Sequence, residues 1–226
     1  MPKERSNSPL QPPGFAKATP GKPALSSSKG LQPGRLFVIS GPSGVGKSTI
    51  SQAVAAQTDA MLSISATTRP PRGDERDGRD YYFVDVPAFR RMIEQGKLLE
   101  WAEVFGNYYG TPADAVESAL AAGRTVFLTI DVQGGIQVAA RRPAAVGILI
   151  VPPSQAELRR RLAGRATEGA EVLEKRLAKA NQELTLARES GAYCYQVIND
   201  NLDAAVQRVA VIVEEEKQRH DRSAQT

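Results

Sequence analysis

The sequence predicts an α/β fold with a largely parallel sheet, and three observations carry that reading. Short apolar runs rich in Val, Ile and Leu alternate with stretches of helical period, the pattern of strand–helix–strand units. Several of the runs are apolar at every position, as in strands covered on both faces. The length of 226 residues, with 41% apolar and 24% charged, suits one globular domain.

Residues 1–33 stand apart. They hold seven of the fifteen prolines, the run Ser26-Ser27-Ser28, and five basic residues against Glu4. Such a segment buries too little apolar surface to offset its ordering entropy, so a disordered tail is expected. The tail also carries the whole net charge of +4, because the other 24 basic and 24 acidic residues cancel. The charge therefore gives no case for a nucleic-acid partner of the folded part. The expected domain runs over 34–220, with 221–226 as a flexible end.

Leu36-Phe37-Val38-Ile39 reads as a buried strand, followed by a glycine-rich turn and a helix over 47–57. Residues 61–65 read as a second strand and 66–80 as a polar loop. Residues 81–84 and 98–104 read as strands flanking a helix over 87–95. Residues 106–110 form an expected turn, after which Thr111-Pro112 supplies an N-cap and first position for a helix ending near Gly123. Residues 125–130 and 145–151 are β-branched, apolar runs typical of interior parallel strands. Ser154 and Glu157 make a capping-box pattern for a helix through Leu162. A helix over 171–188, a strand over 195–198 and a helix over 203–218 complete the series.

Composition removes several kinds of chemistry. One cysteine, Cys194, allows no intramolecular disulfide and points to a reducing, cytoplasmic setting. The longest apolar run, 144–151, is too short to cross a bilayer, so no membrane partner is expected. The one histidine, His220, lies in a charged C-terminal stretch. Any catalysis then falls to Lys, Arg, Asp, Glu and backbone amides.

Gly41-Pro42-Ser43-Gly44-Val45-Gly46-Lys47-Ser48 fits the phosphate-loop pattern G-x-x-x-x-G-K-[ST] in full, between a strand and a helix. Glycines let backbone N–H groups converge on phosphate oxygens, and the helix N-terminus adds its own free amides. Lys47 would neutralise the β- and γ-phosphates, Ser48 would ligate Mg²⁺, and Thr49 completes the ATP-binding set. Asp131, directly after the 125–130 strand, suits a Mg²⁺-side carboxylate; taken alone it suits a helix N-cap nearly as well, and the phosphate loop tips the balance to the Mg²⁺ role. ATPase, GTPase and small-molecule kinase remain open on the loop alone. A GTPase lacks its Asn-Lys-x-Asp signature here. Arg161 and Arg165, one turn apart at a helix end, and Arg176 on the next helix could stabilise a transferring phosphoryl group. Arg69 and Arg72, with Tyr81, could grip a second phosphate.

Several longer stretches resemble guanylate kinase: Ser40-Gly41-Pro42-Ser43-Gly44, Ser65-Ala66-Thr67-Thr68-Arg69-Pro70-Pro71-Arg72, Leu99-Glu100-Trp101-Ala102, Gly106-Asn107-Tyr108-Tyr109-Gly110-Thr111, Ile130-Asp131-Val132-Gln133-Gly134 and Val197-Ile198-Asn199-Asp200. The resemblance covers about residues 34–215. It implies a three-layer P-loop core, a GMP-binding insertion near 66–118 and a lid near 160–170. It also implies transfer of a phosphoryl group from ATP to GMP, with dGMP as a further acceptor and Mg²⁺ as cofactor. By matching position, Arg69, Arg72, Tyr81 and Tyr109 would hold the GMP phosphate, and Ser65, Glu100 and Thr111 would address guanine, with Thr129 and Asp131 beside them. Lys47, Arg161, Arg165 and Arg176 would serve ATP and the transition state. Guanine offers N1–H and an exocyclic amine, two donors that one carboxylate can accept. Thr129 stands where the family usually has an acid, and Ala166 where it commonly has glycine after the lid arginine. The rival reading from another class is a guanylate-kinase-like module that binds phosphopeptides without catalysis.

Overall fold

The computed structural model describes residues 32–163 and 170–223. Strand β1 (Leu36–Ser40) is buried at all five positions, and the glycine-rich turn leads from it into helix α1 (Lys47–Thr58). After β2 (Met61–Leu62) the chain leaves for a second sheet through β3 (Ala66–Thr67), β4 (Tyr82–Phe83), helix α2 (Val86–Glu94), β5 (Leu98–Val104) and β6 (Asn107–Pro112). It returns by helix α3 (Ala113–Ala121) to β7 (Val126–Thr129), α4 (Val132–Arg141), β8 (Val146–Val151) and α5 (Gln155–Ala163). Helix α6 (Ala170–Glu189), β9 (Tyr195–Ile198) and α7 (Leu202–Ser223) follow.

The main sheet has the order β2-β7-β1-β8-β9 and is parallel throughout. Alternation sends Phe37, Ile39, Ile148 and Ile150 into one cluster with Ile50 and Val54 of α1 and Val209 and Ile212 of α7. Leu36, Val38, Val126 and Leu128 face the other way, onto Val116 of α3 and Val138 of α4. Leu149 and Val151 join them there, against Val132 of α4 and Ala187 of α6. Apolar residues at successive positions therefore mean two covered faces, and the three expected layers result. β1 and β7 are neighbours whose following helices, α1 and α4, go to opposite faces. That divergence opens a crevice at the carboxyl ends of the strands, where open α/β sheets bind ligands.

The second sheet, ordered β4-β3-β6-β5, packs Ala66 and Leu98 on Phe89 of α2, with Trp101 and Tyr108 alongside. It corrects two expectations. Residues 106–110 are not a turn: β6 runs from Asn107, pairing antiparallel with β5. Only Phe105 and Gly106, at φ 51° and 75°, make the connection, a two-residue turn whose twist matches the strands. Thr111 and Pro112 accordingly end a strand instead of opening a helix, although Pro112 does sit at the N-cap of α3. The expected 61–65 strand and 66–80 loop are also redrawn. β2 takes two residues in the main sheet, and Ala66–Thr67 pairs with β6 in the second.

Only the N-cap reading of Asp131 pointed to helix α4, because Gly134 and Gly135 are poor helix formers. Both are needed for close approach. A Cβ on Gly134 would lie 2.4 Å from Glu100 Oε2, and one on Gly135 would lie 2.1 Å from Tyr193 Oη. Packing therefore overrides propensity. β5 ends the second sheet, and α4 covers its open edge, where unpaired backbone groups would otherwise invite another strand. Gln137 Nε2 donates to Trp101 O (2.7 Å), and Arg141 Nη1 donates to Leu99 O (2.7 Å) and Leu98 O (3.2 Å). Glu100, between them, is thereby held over the crevice. Residues 1–31 of the expected tail, residues 164–169 of the expected lid, and 224–226 lie outside the described residues.

Candidate active site

The turn after β1 is shaped by glycine. Gly46 is the N-cap of α1 at φ 99°, a backbone that side chains rarely adopt, and a Cβ there would also lie 2.5 Å from Asn199 Nδ2. Val45 is fully buried and anchors the loop in the core. Lys47 Nζ donates to Gly41 O (2.6 Å) and Pro42 O (3.0 Å), so its ammonium lies within the curve of the loop. Ser48 and Thr49 are exposed on the first turn of α1. The predicted phosphate loop, Gly41, Pro42, Ser43, Gly44, Val45, Gly46, Lys47 and Ser48, thus has the strand–turn–helix setting that its motif requires.

Asn199 has a family motif around it but no predicted role, and the structure shows what it does. Its buried side chain donates to Val45 O (2.8 Å) and braces the loop from the β9–α7 junction. Arg161 Nη2 donates to Asn199 O (2.9 Å), and its Nε donates to Glu157 Oε1 (2.6 Å). Glu157 is held at a pKa of about 2 by its bonds to Arg160 and Arg161. Its N–H bonds Ser154 Oγ (3.1 Å) as a capping box needs, but the carboxylate turns to the arginines. These groups border a cavity of about 510 Å³ lined by Gly44, Gly46, Thr49, Arg161, Asn199 and Asp200, a nucleotide-sized space. Arg176 is half-buried on α6. Arg165 lies outside the described residues.

The acceptor side is built on β5 and β6. Glu100 is 3% exposed and accepts from Thr111 Oγ1 (2.6 Å) on the paired strand. Burial pushes its pKa up to about 7; the Thr111 bond works against that, while the charge of Asp131 adds to it. Asp131 meets the cap reading directly, since its Oδ1 accepts from Gly134 N (2.8 Å) at the start of α4. The same cap sets its carboxylate near Glu100. Nearby, Arg69 is 6% exposed, lies over the Tyr81 ring at 5.4 Å and donates to Glu75 Oε1 (3.0 Å). Tyr81 meets Tyr109 edge to face at 6.2 Å. Ser65 is half-buried where β3 begins, and Arg72 is exposed.

Three predicted groups therefore come together: Glu100 with Thr111 and Asp131; Arg69 with Tyr81 and Tyr109; and Lys47 in its loop. Thr129 goes elsewhere. Its Oγ1 donates to Ser51 Oγ (2.9 Å), and Ser51 donates to Lys47 O (2.8 Å), so the hydroxyl is directed at the P-loop helix. Two carboxylates were missed. Glu75 holds both Arg69 and the Arg72 N–H (2.8 Å). Glu183 of α6 sits among Lys47, Lys179 and Asp131, and burial raises its pKa. Its spacing of seven from Arg176 places both on one helix face, a signal legible in the sequence.

Gly134 yields a direct test. The methyl of Gly134→Ala would meet the carboxylate end of Glu100, 2.4 Å away, and approach Ile130 Cδ1 at 3.3 Å. Both are side-chain ends that can shift, so the fold should tolerate it while the carboxylate is displaced. We expect kcat/KM for GMP to fall about tenfold or more, as for a reacting group misplaced by an ångström, with the melting temperature nearly unchanged. Steady-state kinetics and a thermal melt check both.

Comparison with known proteins bears on this geometry. A family model described as guanylate kinase matches residues 33–216. The chain belongs to the guanylate kinase family. A guanylate kinase from Anaeromyxobacter dehalogenans is 48% identical over 190 residues, 83% of each chain. One from Bacillus cereus is 48% identical over 193 residues, 84% of this chain and 93% of that one. The crystal structure of guanylate kinase from Anaplasma phagocytophilum matches with a TM-score of 0.68 at 34% identity, covering 82% of this chain and 87% of that one. The guanylate kinase match runs through both sheets and α6, so the P-loop core expected from the motifs is the family's fold.

Proposed function

We infer that this guanylate kinase transfers the γ-phosphoryl group of ATP to GMP, giving GDP and ADP and returning GMP to the purine nucleotide pool. The observation that carries the reading is Glu100: a carboxylate 3% exposed, bonded to Thr111, at the crevice that the phosphate loop also borders. An acceptor of that kind, buried and ionised only above about pH 7, needs a ligand with paired donors to hold its charged form. Guanine supplies them as N1–H and its 2-amino group, with Asp131 beside Glu100 and Ser65 at the same end of the insertion. Arg69, Arg72, Tyr81 and Tyr109 would hold the GMP phosphate. None of these contacts addresses a ribose 2′-hydroxyl, so dGMP is expected to serve as well.

On the other side, Gly41 to Thr49 would cradle the ATP phosphates. Lys47, Arg161, Arg165 and Arg176 would neutralise charge as it develops on the transferring group. Catalysis of this kind is positioning and electrostatics, with no covalent intermediate on the protein. Ser48 and Asp131 would hold Mg²⁺. Both are hard oxygen donors, and Mg²⁺ held by one or two protein ligands would take the rest of its shell from nucleotide phosphates and water. When bound, Mg²⁺ offsets charge on the phosphates. Thr129 would act through Ser51 on the P-loop helix. No helix among the described residues is long and apolar enough to cross a membrane.

The test is a product analysis. Incubated with Mg-ATP and GMP, the protein should form GDP and ADP in equal amounts and release little ADP without GMP. ADP formation that ignores GMP, or binding of nucleotides without transfer, would contradict the reading; the second result would favour a non-catalytic binding module.

A further inference from the structure

Phe105 is an apolar residue in a place that suits Asn or Gly. It opens the β5–β6 turn at φ 51°, the left-handed region that bulky side chains avoid, and it is 64% exposed. Backbone preference and burial both argue against phenylalanine here. Its ring meets Lys179 of α6, whose Nζ lies 4.6 Å from the ring centroid, within range of an attraction between a cation and an aromatic face. That contact joins two parts of the site that are distant in sequence. β5 and β6 carry Glu100, Tyr109 and Thr111. α6 carries Arg176 one turn before Lys179 and Glu183 one turn after it, and Glu183 lies in the field of both Lys179 and Lys47.

We propose that Phe105 is a positioning residue for phosphoryl transfer: with Lys179 it clamps the tip of the acceptor hairpin onto α6. The clamp holds the GMP-binding side chains of β5 and β6 at a fixed separation from the phosphate-facing side of α6. Phe105 itself touches neither nucleotide. A residue serving the turn alone would be Asn, which adopts the left-handed backbone at less cost; the ring is there for the lysine. The proposal rests on the GMP reading for its substrate, and wild-type protein that forms no GDP would mark the failure of that reading rather than of this one.

Phe105→Asn removes the ring and keeps the turn. It should leave the melting temperature at or above the wild-type value, because Asn relieves the turn. It should leave the dissociation constant of ATP from the free enzyme unchanged, and raise KM for GMP about threefold, the size expected of one exposed contact of this kind. Phe105→Tyr retains the aromatic face and should retain the wild-type KM. Lys179→Met should raise KM for GMP to a similar extent, and adding Phe105→Asn to it should raise it no further, because each change removes the same contact. A wild-type KM for GMP in folded Phe105→Asn, or losses that multiply in the double variant, would overturn the proposal.

Discussion

Lys47→Met should abolish phosphoryl transfer while leaving the fold intact. Lys47 Nζ bonds the carbonyls of Gly41 and Pro42, inside the curve where phosphates would lie, and the methionine stem fills nearly the same volume without the charge. A fixed cation aimed at developing charge costs little to reorganise during the reaction, which makes it valuable. We expect kcat to drop by about 10³-fold, with a melting temperature close to wild type because the core cluster under the loop uses Val45 and Ile50, not Lys47. Near-native turnover in a folded variant would falsify the phosphate-loop assignment.

Glu100→Gln should show opposite effects on stability and on function. The folded-state pKa of Glu100, about 7, lies above its ordinary 4.5, so the folded chain binds that proton more tightly than the unfolded chain. Stability is then undiminished below pH 4.5 and falls as pH rises toward 7, by roughly 3 kcal/mol in all. Glutamine cannot ionise and escapes that loss. The variant should therefore be more stable than wild type at pH 8 and nearly equal to it at pH 4.5. GMP kinetics should move the other way. The amide presents a donor where guanine already has donors, so kcat/KM for GMP should fall about 10²-fold or more, while ATP binding stays nearly constant. In the wild type, kcat/KM for GMP should rise with pH through about 7 as Glu100 ionises, and the variant should lack that rise. A variant that is no more stable at pH 8 and phosphorylates GMP normally would make Glu100 a structural carboxylate.

What could be read in advance depended on whether a residue type answers to its local backbone or to a distant partner. The phosphate loop was legible because positive φ and close phosphate approach demand glycine at set spacings. The inner strands β1, β7 and β8 were legible because two covered faces leave almost no polar position, Ser40 and Thr129 standing only at strand ends. Helix α4 was hidden by Gly134 and Gly135, whose purpose is to admit Glu100 and Tyr193, residues far off in the chain. The β5–β6 hairpin was hidden by Phe105, which occupies a turn position normally marked by Asn or Gly. Asn199 and Glu75 act by bracing the loop and Arg69, and bracing leaves no spacing signature. Thr129 shows the same limit in reverse: its place in a motif suggested guanine, but its hydroxyl bonds Ser51 on the opposite helix.

The central claim is that a buried carboxylate selects the acceptor base, and the ratio of kcat/KM for GMP to that for AMP tests it most directly. Adenine has a lone pair at N1 and no 2-amino group, so it would leave Glu100 desolvated with no donor from the base, only the Thr111 hydroxyl, and a site of that kind rejects the wrong base steeply. With saturating Mg-ATP and the two acceptors assayed side by side, the account predicts a ratio of about 10⁴ or more in favour of GMP. AMP phosphorylated within about tenfold of GMP, a preference of under 1.4 kcal/mol, would contradict it.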